Sequence, residues 1–261
     1  MLEEKLYNLL LDIIKQNVDK IKGKICVPIS GGLDSRVVAG YMQVLNRPID
    51  LVVTFGNQHD KHIGYAQRIA RAAGYSDQII TASVTKQEIN DNHSIVQSFS
   101  GLSEMATPGF VCLQKINNKI DLSDYNFIIP YGIDRLTGIK INALTFWRGA
   151  KYFIEQDRYF VNSYYKQICL NGFKVFHYFG AKAINPIWYS ESLFEFCTNL
   201  PLKERFHQRL FRQMIKTYFP ELAAIPRTYM NCRMDCNEAT YFIYRTLYYF
   251  RKMCHKNEIR Y

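Results

Sequence analysis

The chain has 261 residues, 48% of them hydrophobic and 21% charged, and a formal net charge of +10 at pH 7. This composition is ordinary for a globular protein, either one large domain or one domain with a helical extension. No apolar run reaches the roughly 18 residues of a membrane-spanning helix, and the first residues lack the basic region of a signal peptide. Seven cysteines without paired spacing favour a reducing compartment over a disulfide framework. We therefore expect a cytoplasmic protein without a membrane span.

The first predicted elements are a helix, a strand and a second helix. Residues 1–22 place apolar side chains at helical spacing, which predicts an amphipathic helix packed against a sheet. Residues 25–29 form an apolar, β-branched run that is typical of a buried parallel strand. Small residues follow at 30–32, and apolar residues recur at helical spacing from Asp34 onward. The predicted order is strand, glycine turn and helix N-terminus.

This turn has the properties of a phosphate-binding site. The first amides of a helix lack intrahelical acceptors and carry partial positive charge. Gly31 and Gly32 let a phosphate approach the backbone, Ser30 and Ser35 add hydroxyl donors, and Asp34 could hold the Mg²⁺ that neutralises a triphosphate. Taken alone, the simpler interpretation is that Asp34 caps the helix and the glycines form an ordinary turn.

The next elements predict the fold class. Strands are predicted at 49–56 and 77–82, with a helix between them that ends at Gly74. Alternating strands and helices predict an α/β fold with a parallel, doubly wound sheet, in which ligands bind beyond the carboxyl ends of the strands. Thr54 and Phe55 lie near such an end and could receive a nucleotide base through backbone groups. A tight turn with a core phenylalanine is the alternative.

A second glycine turn follows a fourth predicted strand at 125–130. Gly132 and Asp134 in this turn would give a second phosphate and metal contact beside the first loop. By itself the segment is equally an ordinary turn. Further along, Cys232 and Cys236 are four residues apart, and we interpret them as free thiols because two cysteines alone make a weak zinc site.

Together these motifs resemble a known family. Residues 30–35, Ser-Gly-Gly-Leu-Asp-Ser, resemble the PP-loop signature S-G-G-x-D-S of the ATP pyrophosphatases. Residues 132–138 resemble the G-x-D-E-L-x-G pyrophosphate loop of asparagine synthetase and its synthetase-domain relatives, with Arg135 where the family often has Glu. His207 and Gln208 lie near the position of a family lysine that precedes an L-x-R-type motif.

The resemblance implies ligands and site residues. It implies a PP-loop sheet with a helical C-terminal region, and it implies ATP and Mg²⁺ as ligands. The residues that it assigns to ATP are Ser30, Gly31, Gly32, Leu33, Asp34, Ser35, Thr54, Phe55 and Gly132. It assigns the binding of the metal ion to Asp34 and Asp134. The catalytic set is Asp34, Asp134, Glu104, Arg209 and Arg212.

Two of these assignments have specific grounds and alternatives. Glu104 lies in the zone where asparagine-forming relatives carry an acidic residue that orients the substrate, although a solvated glutamate at a helix end would explain it as well. Arg209 and Arg212 are the cations closest to the missing lysine. A guanidinium could neutralise the same phosphates, but it cannot shuttle protons.

The resemblance also implies an activity. We expect an ATP-dependent ligase that adenylates a small carboxylate, releases pyrophosphate and transfers the acyl group to ammonia or an amine. Residue 2 is Leu, so we expect no glutaminase domain with an N-terminal cysteine, and nitrogen would come from a separate glutaminase, free ammonia or an amine substrate. The expected organisation is a nucleotide-binding core at 1–138 and a mainly helical part of the same domain at 139–261.

Two other functions stay open. The charge of +10 is compatible with a PP-loop enzyme that adenylates an RNA base, although nucleic acid is the less favoured partner. Arg135 and the missing lysine are compatible with a catalytically degenerate subunit that only binds nucleotide.

Overall fold

The computed structural model describes residues 1–57, 61–100, 103–129, 166–184, 190–228 and 230–254. In this part of the chain, five strands form one parallel sheet in the order β3-β2-β1-β4-β5. The strands are β1 (Lys24–Pro28), β2 (Leu51–Asn57), β3 (Ile79–Val84), β4 (Tyr125–Ile128) and β5 (Lys182–Ile184). The parallel, doubly wound α/β sheet predicted from the sequence is confirmed.

Helices cover both faces of this sheet. The helices before β4 are α1 (Leu2–Val18), α2 (Asp34–Val44), α3 (Lys61–Ala72), α4 (Lys86–Ser100) and α5 (Ser103–Asn117). Those after β4 are α6 (Lys166–Tyr178), α7 (Glu191–Asn199), α8 (Leu202–Arg205), α9 (Arg209–Tyr218), α10 (Pro220–Ala223) and α11 (Glu238–Cys254). Short 3₁₀ turns lie at Leu122–Asp124 and Phe206–Gln208. No helix in the described ranges is long and apolar enough to cross a membrane.

Two hydrophobic cores lie on opposite faces of the sheet because successive side chains of a strand alternate. In β1, Ile25 and Val27 point into the core formed with α1, α2, α3 and α9, whereas Cys26 points into the core formed with α4, α5 and α6. Strands buried on both faces read as continuous apolar runs, which is why the apolar, β-branched run at residues 25–29 predicts a buried parallel strand.

The strand order creates a switch point beside β1. From β1 the chain proceeds outward to β2 and β3, and it then returns to place β4 on the other side of β1. Cys26 pairs with Leu51 of β2 and with Phe127 of β4, so the carboxyl ends of these strands lie at one edge. Ligands of doubly wound folds bind in the crevice at this kind of reversal.

Two local features could not be read from the sequence. Proline and glycine usually interrupt a helix, but α5 continues through Pro108 and Gly109. Proline removes one intrahelical bond there, and the burial of Phe110, Val111 and Leu113 outweighs that loss. Strand β5 was not predicted, because three residues are too few to show a period.

The segments after residue 138 pack into the same structure as those before it. Strand β5 extends the sheet beside β4, and α9 packs against α1. Leu210, Phe211 and Met214 of α9 share one hydrophobic core with Leu6 and Leu10 of α1. Helices α1 and α9 therefore stabilise one face of the sheet together.

Candidate functional site

The loop between β1 and α2 is held in shape by its two serines. The Ser30 amide donates to Ser35 Oγ (3.0 Å), and Ser35 Oγ lies 3.1 Å from the Ser30 carbonyl oxygen, to which it donates. The Gly32 amide donates to Ser30 Oγ at 3.2 Å. Ser35 is buried and Ser30 is exposed. The hydroxyl of Ser35 thus closes the loop, and the hydroxyl of Ser30 lies at its surface.

Helix α2 begins at this loop. Its N-cap is Leu33, and among the described residues no side chain caps the helix. Asp34 is the first helical residue and is half-buried. A helix of 11 residues that starts without a side-chain cap directs its first amides and the positive end of its dipole toward the loop. This geometry favours an anion at the loop.

Gly31 contacts a segment from the far end of the chain. The Thr228 amide donates to the Gly31 carbonyl oxygen at 3.1 Å. A Cβ atom at position 31 would lie 1.7 Å from Thr228 Oγ1 and 3.2 Å from Tyr65 Cβ. Position 31 therefore needs glycine because Thr228 fills the space of a side chain.

Arg36 fastens this distant segment to the loop. Its guanidinium is fully buried, and Nη1 donates to the carbonyl oxygens of Leu222 and Ile225, each at 2.7 Å. Nη2 donates to Pro226 at 3.2 Å and to Gly31 at 3.4 Å. Sequence reasoning missed this role, although a single arginine at the start of an apolar helix was a visible signal.

Further arginines make this region electropositive. Burial, and then the nearby charges of Arg227 and Arg68, lower the pKa of Arg36 to about 9. Arg36 stays charged at neutral pH, and the nearby guanidinium groups of Arg227 and Arg68 add positive charge beside the loop. Arg227 Nη1 donates to Gln208 Oε1 at 2.8 Å and to the Tyr241 hydroxyl at 3.2 Å. The positive charge of these arginines attracts polyanions to the loop.

Thr54 and Phe55 lie near the end of β2 on opposite faces. The side chain of Thr54 is buried on the face of Val52, and no described residue hydrogen-bonds its Oγ1. Phe55 is half-buried and packs against the core of α4 and α5. Thr54 therefore lies on the face of the sheet that α2 and α3 cover, whereas Phe55 packs into the core on the opposite face.

Arg212 is engaged inside the C-terminal region. Its Nη2 lies 2.6 Å and 2.5 Å from the two carboxylate oxygens of Glu238, and its guanidinium stacks 3.7 Å from the centre of the Tyr241 ring. Arg212 Nε donates to the His207 carbonyl oxygen at 3.2 Å. Arg209, by contrast, is partly exposed and lies 3.8 Å from Glu204.

The residues near the missing family lysine have an unusual backbone. His207 and Gln208 both have positive φ, 53° and 59°, and both side chains are buried. Burial, followed by the charges of Arg245 and Arg212, lowers the pKa of His207 to about 3. His207 is therefore neutral at physiological pH, and Gln208 is held by Arg227.

The described residues bring together one part of the predicted site. Ser30, Gly31, Gly32, Leu33, Asp34 and Ser35 form a single loop with the predicted strand and helix on either side. Glu104 is the second residue of α5, and its side chain lies outside the described part. Gly132 and Asp134 also lie outside the described residues, directly after β4 in the chain.

Comparison with known proteins agrees with these motifs. Residues 5–123 match the family model of asparagine synthase. A search of curated proteins gives no match for the chain. The matched residues contain most of α1, the loop of residues 30–35 (the glycine–serine loop), β2, β3 and α5. Over residues 5–123, a little less than half of its length, the chain is therefore similar to the asparagine synthase family.

Proposed function

We propose that this protein is an ATP-dependent, AMP-forming amide ligase. The observation that carries the proposal is the loop of residues 30–35, which joins β1 to an uncapped helix N-terminus at the switch point of the sheet and lies within the matched segment. The amides of this loop and the exposed hydroxyl of Ser30 are suited to phosphate oxygens. The arginines around Arg36 add attraction for a polyanion.

The proposed reaction has two steps. A carboxylate oxygen of the substrate attacks the α-phosphorus of ATP, and pyrophosphate leaves with the electrons of the broken P–O bond. Ammonia or an amine then attacks the acyl carbon, loses a proton and displaces AMP. The protein contributes position and charge stabilisation rather than a covalent intermediate. A separate glutaminase or an amine-supplying partner fits the second step, and we place the reaction in the cytoplasm.

The chemistry of the loop fits a magnesium ion. Mg²⁺ is usually held by one or two carboxylates together with phosphate oxygens and water. Asp34 offers a half-buried carboxylate in the first turn of α2, and Asp134 follows β4, whose carboxyl end adjoins that of β1. We propose that these two residues hold the ion, which would offset the charge of the triphosphate.

The remaining site residues receive different roles. Arg209 is partly exposed, so we propose it as the cation that approaches the phosphates. Arg212 is engaged by Glu238 and Tyr241, so we assign to it the positioning of the start of α9. Thr54 and Phe55 are proposed to border the adenine through the end of β2, and Glu104 is proposed to orient the acceptor.

The test separates nucleotide binding from catalysis. Calorimetry should show magnesium-dependent binding of ATP to the unaltered protein and at least about tenfold weaker binding to Asp34→Asn. Asp91→Asn, an exposed aspartate on α4, is the matched control and should bind ATP normally. Pyrophosphate release is then screened with small carboxylates and with ammonia or amines. Failure to bind ATP with magnesium would refute the proposal.

A second candidate function has its own support. Gln208 lies near the place of the family lysine and is buried against Arg227, so a cation is replaced there by an amide. A subunit that binds nucleotide without adenylating a substrate would have such a site. ATP binding together with no pyrophosphate release for any carboxylate would favour it, and release that requires RNA would favour the base-modifying alternative.

A further inference from the structure

One segment near the C-terminus covers the glycine–serine loop. We call residues 226–228 and 230–236 the cover segment. Its Thr228 amide bonds the Gly31 carbonyl oxygen, and the Asn231 side chain accepts from the Tyr65 hydroxyl of α3. Its Met234 amide donates to the Ala223 carbonyl oxygen at 3.0 Å. The cover segment is thus attached to the loop, to α3 and to α10.

The cover segment is also bonded within itself. The Arg227 amide donates to the Cys232 carbonyl oxygen at 2.8 Å, and the Asn231 amide donates to the Arg227 carbonyl oxygen at 3.0 Å. Arg227 and Cys232 form an antiparallel bridge. The position of Cys232 is therefore linked through one hydrogen bond to Arg227, the residue that precedes Thr228.

Two sulfurs meet at the end of this segment. Cys232 Sγ and Cys236 Sγ lie 3.1 Å apart, about 1 Å more than the length of a disulfide bond. Cys232 is 3% exposed and Cys236 is half-buried. Cys232 belongs to the hydrophobic core that also contains Cys197, Cys236 packs against that core, and Cys26 and Cys112 lie in the core on the other face of the sheet. Among the cysteines whose side chains the structure describes, Cys232 and Cys236 are the two that contact each other, and Cys236 is the one with access to solvent.

We propose that Cys232 and Cys236 are a redox-active dithiol, a modification site at which a peroxide or a small disulfide closes a bond that fixes the cover segment over the loop. With hydrogen peroxide, the Cys236 sulfur attacks one peroxide oxygen, the O–O bond breaks, and a sulfenic acid and one water form. The Cys232 sulfur then attacks the Cys236 sulfur, the S–O bond breaks, and a second water leaves. Two electrons pass from the sulfurs to the peroxide, and both thiol protons leave in water.

The surroundings of the two cysteines indicate which one is oxidised first and which one resolves the sulfenic acid. Cys236 is the sulfur that a dissolved oxidant reaches, because Cys232 is covered. Burial, and then the hydrogen bond to Cys236, raise the pKa of the Cys232 thiol. Cys232 therefore stays protonated against its neighbour until Cys236 is oxidised, and it then resolves the sulfenic acid. Intracellular disulfides are typically transient and redox-sensing, which fits a pair with one accessible member.

Closing this bond has a mechanical consequence. The disulfide bond would close a ring between residues 232 and 236. Because Cys232 pairs with Arg227, this ring also restricts the backbone beside Thr228, whose amide bonds Gly31. Opening of the cover segment becomes rarer because the oxidised segment has fewer conformations available. The inference does not depend on the proposed reaction, since bond formation is read directly from the sulfurs.

The test oxidises the full chain with hydrogen peroxide or oxidised glutathione, blocks the remaining thiols and maps the peptides by mass spectrometry. The expected product is a single link between residues 232 and 236, with the mass of two hydrogen atoms lost and both thiols recovered after reduction. Amide exchange across the cover segment should slow several-fold in the oxidised protein. Cys197→Ala retains the pair and should form the link as the unaltered protein does.

Removal of one sulfur gives the opposite result. Cys236→Ser lacks the sulfur that the oxidant reaches, so it should form no link and, because Cys232 is covered, little sulfenic acid or glutathione adduct; its amide exchange should not respond to oxidant. Because residue 236 is half-buried, this variant remains usable where Cys232→Ser fails to fold. Separate glutathione adducts on both cysteines of the unaltered protein, or tight zinc binding that prevents the link, would overturn the proposal.

Discussion

The hydroxyl of Thr228 occupies the space that a side chain at Gly31 would need. The two residues are almost 200 positions apart in the chain, yet the Thr228 amide bonds the Gly31 carbonyl oxygen and Thr228 Oγ1 lies 1.7 Å from the position of a Cβ at residue 31. The glycine of the loop is thus required by the fold as well as by any phosphate.

Gly31→Ala is expected to destabilise the protein. The added methyl group meets Thr228, so the cover segment must move, at a cost of about 1–3 kcal/mol, which is typical of overpacking. Urea unfolding measures the change. Gly64→Ala is the matched control, because a Cβ there meets no atom within 4 Å, and it should stabilise α3 by about 0.5–1 kcal/mol. Equal stability of both variants would contradict the contact.

Arg36→Met should be more costly than a surface change. It leaves the carbonyl oxygens of Leu222, Ile225 and Pro226 without their donor in a buried place, and each such loss costs about 1–3 kcal/mol. We expect a loss of several kcal/mol in the free energy of unfolding, measured with denaturant. Arg36→Lys should recover part of it, because an ammonium group can reach only some of these acceptors. Arg71→Met, an exposed arginine at the end of α3, should change stability by less than about 0.5 kcal/mol.

His207 should make the protein less stable in acid. Its folded pKa of about 3 lies below its ordinary value of 6.5, so the unfolded chain binds the proton more readily. The contribution of His207 to the free energy of unfolding is fully present above pH 6.5. It is lost as the pH falls toward 3, by about 2 kcal/mol between pH 7 and pH 5. The measurement is urea unfolding at both pH values for the unaltered protein and for His207→Asn.

Asparagine tolerates the positive φ of residue 207 and has no titrating group. The contribution of other groups to the pH dependence cancels in the difference between the two proteins. If both lose the same stability between pH 7 and pH 5, then His207 is not the responsible residue.

Thr54→Val is expected to raise the stability of the protein without ligand. No described residue hydrogen-bonds the buried Thr54 Oγ1, and an isosteric methyl group removes the cost of burying that hydroxyl, on the order of 1 kcal/mol. Thermal unfolding measures the gain. Thr198→Val is the matched control, since Thr198 Oγ1 donates to the Glu195 carbonyl oxygen and its loss should destabilise. A marked loss of stability in Thr54→Val would show that the hydroxyl is satisfied.

The sequence predicts the first strand, loop and helix of the sheet well because their signals are local. The strand before Ser30, the glycines and the helix after Asp34 follow one another within about twenty residues, so propensity and spacing alone reveal them. The parallel sheet follows from the alternation of such units. Local patterns also account for α1 and α3, whose boundaries agree with the prediction to within a few residues.

The sequence could not reveal what depends on distant contacts. Nothing near Arg36 indicates that its partners are carbonyl oxygens of residues 222–226, and nothing near Cys232 indicates how close Cys236 lies in a turn. Arg212 was predicted as a phosphate contact from its place in a motif, and that role stays a prediction, while the structure shows its partner in Glu238. The positive φ of His207 and Gln208 likewise depends on tertiary packing.

The attachment of Arg36 to residues 222–226 has a consequence for synthesis. The ribosome synthesises the glycine–serine loop first. The carbonyl oxygens that accept from the Arg36 guanidinium are added only after nearly two hundred further residues. Until then the nascent chain contains the complete motif without the atoms that brace it. A translation product interrupted before residue 222 therefore carries a recognisable but unsupported loop, and the loop is braced only once residues 222–226 have been added.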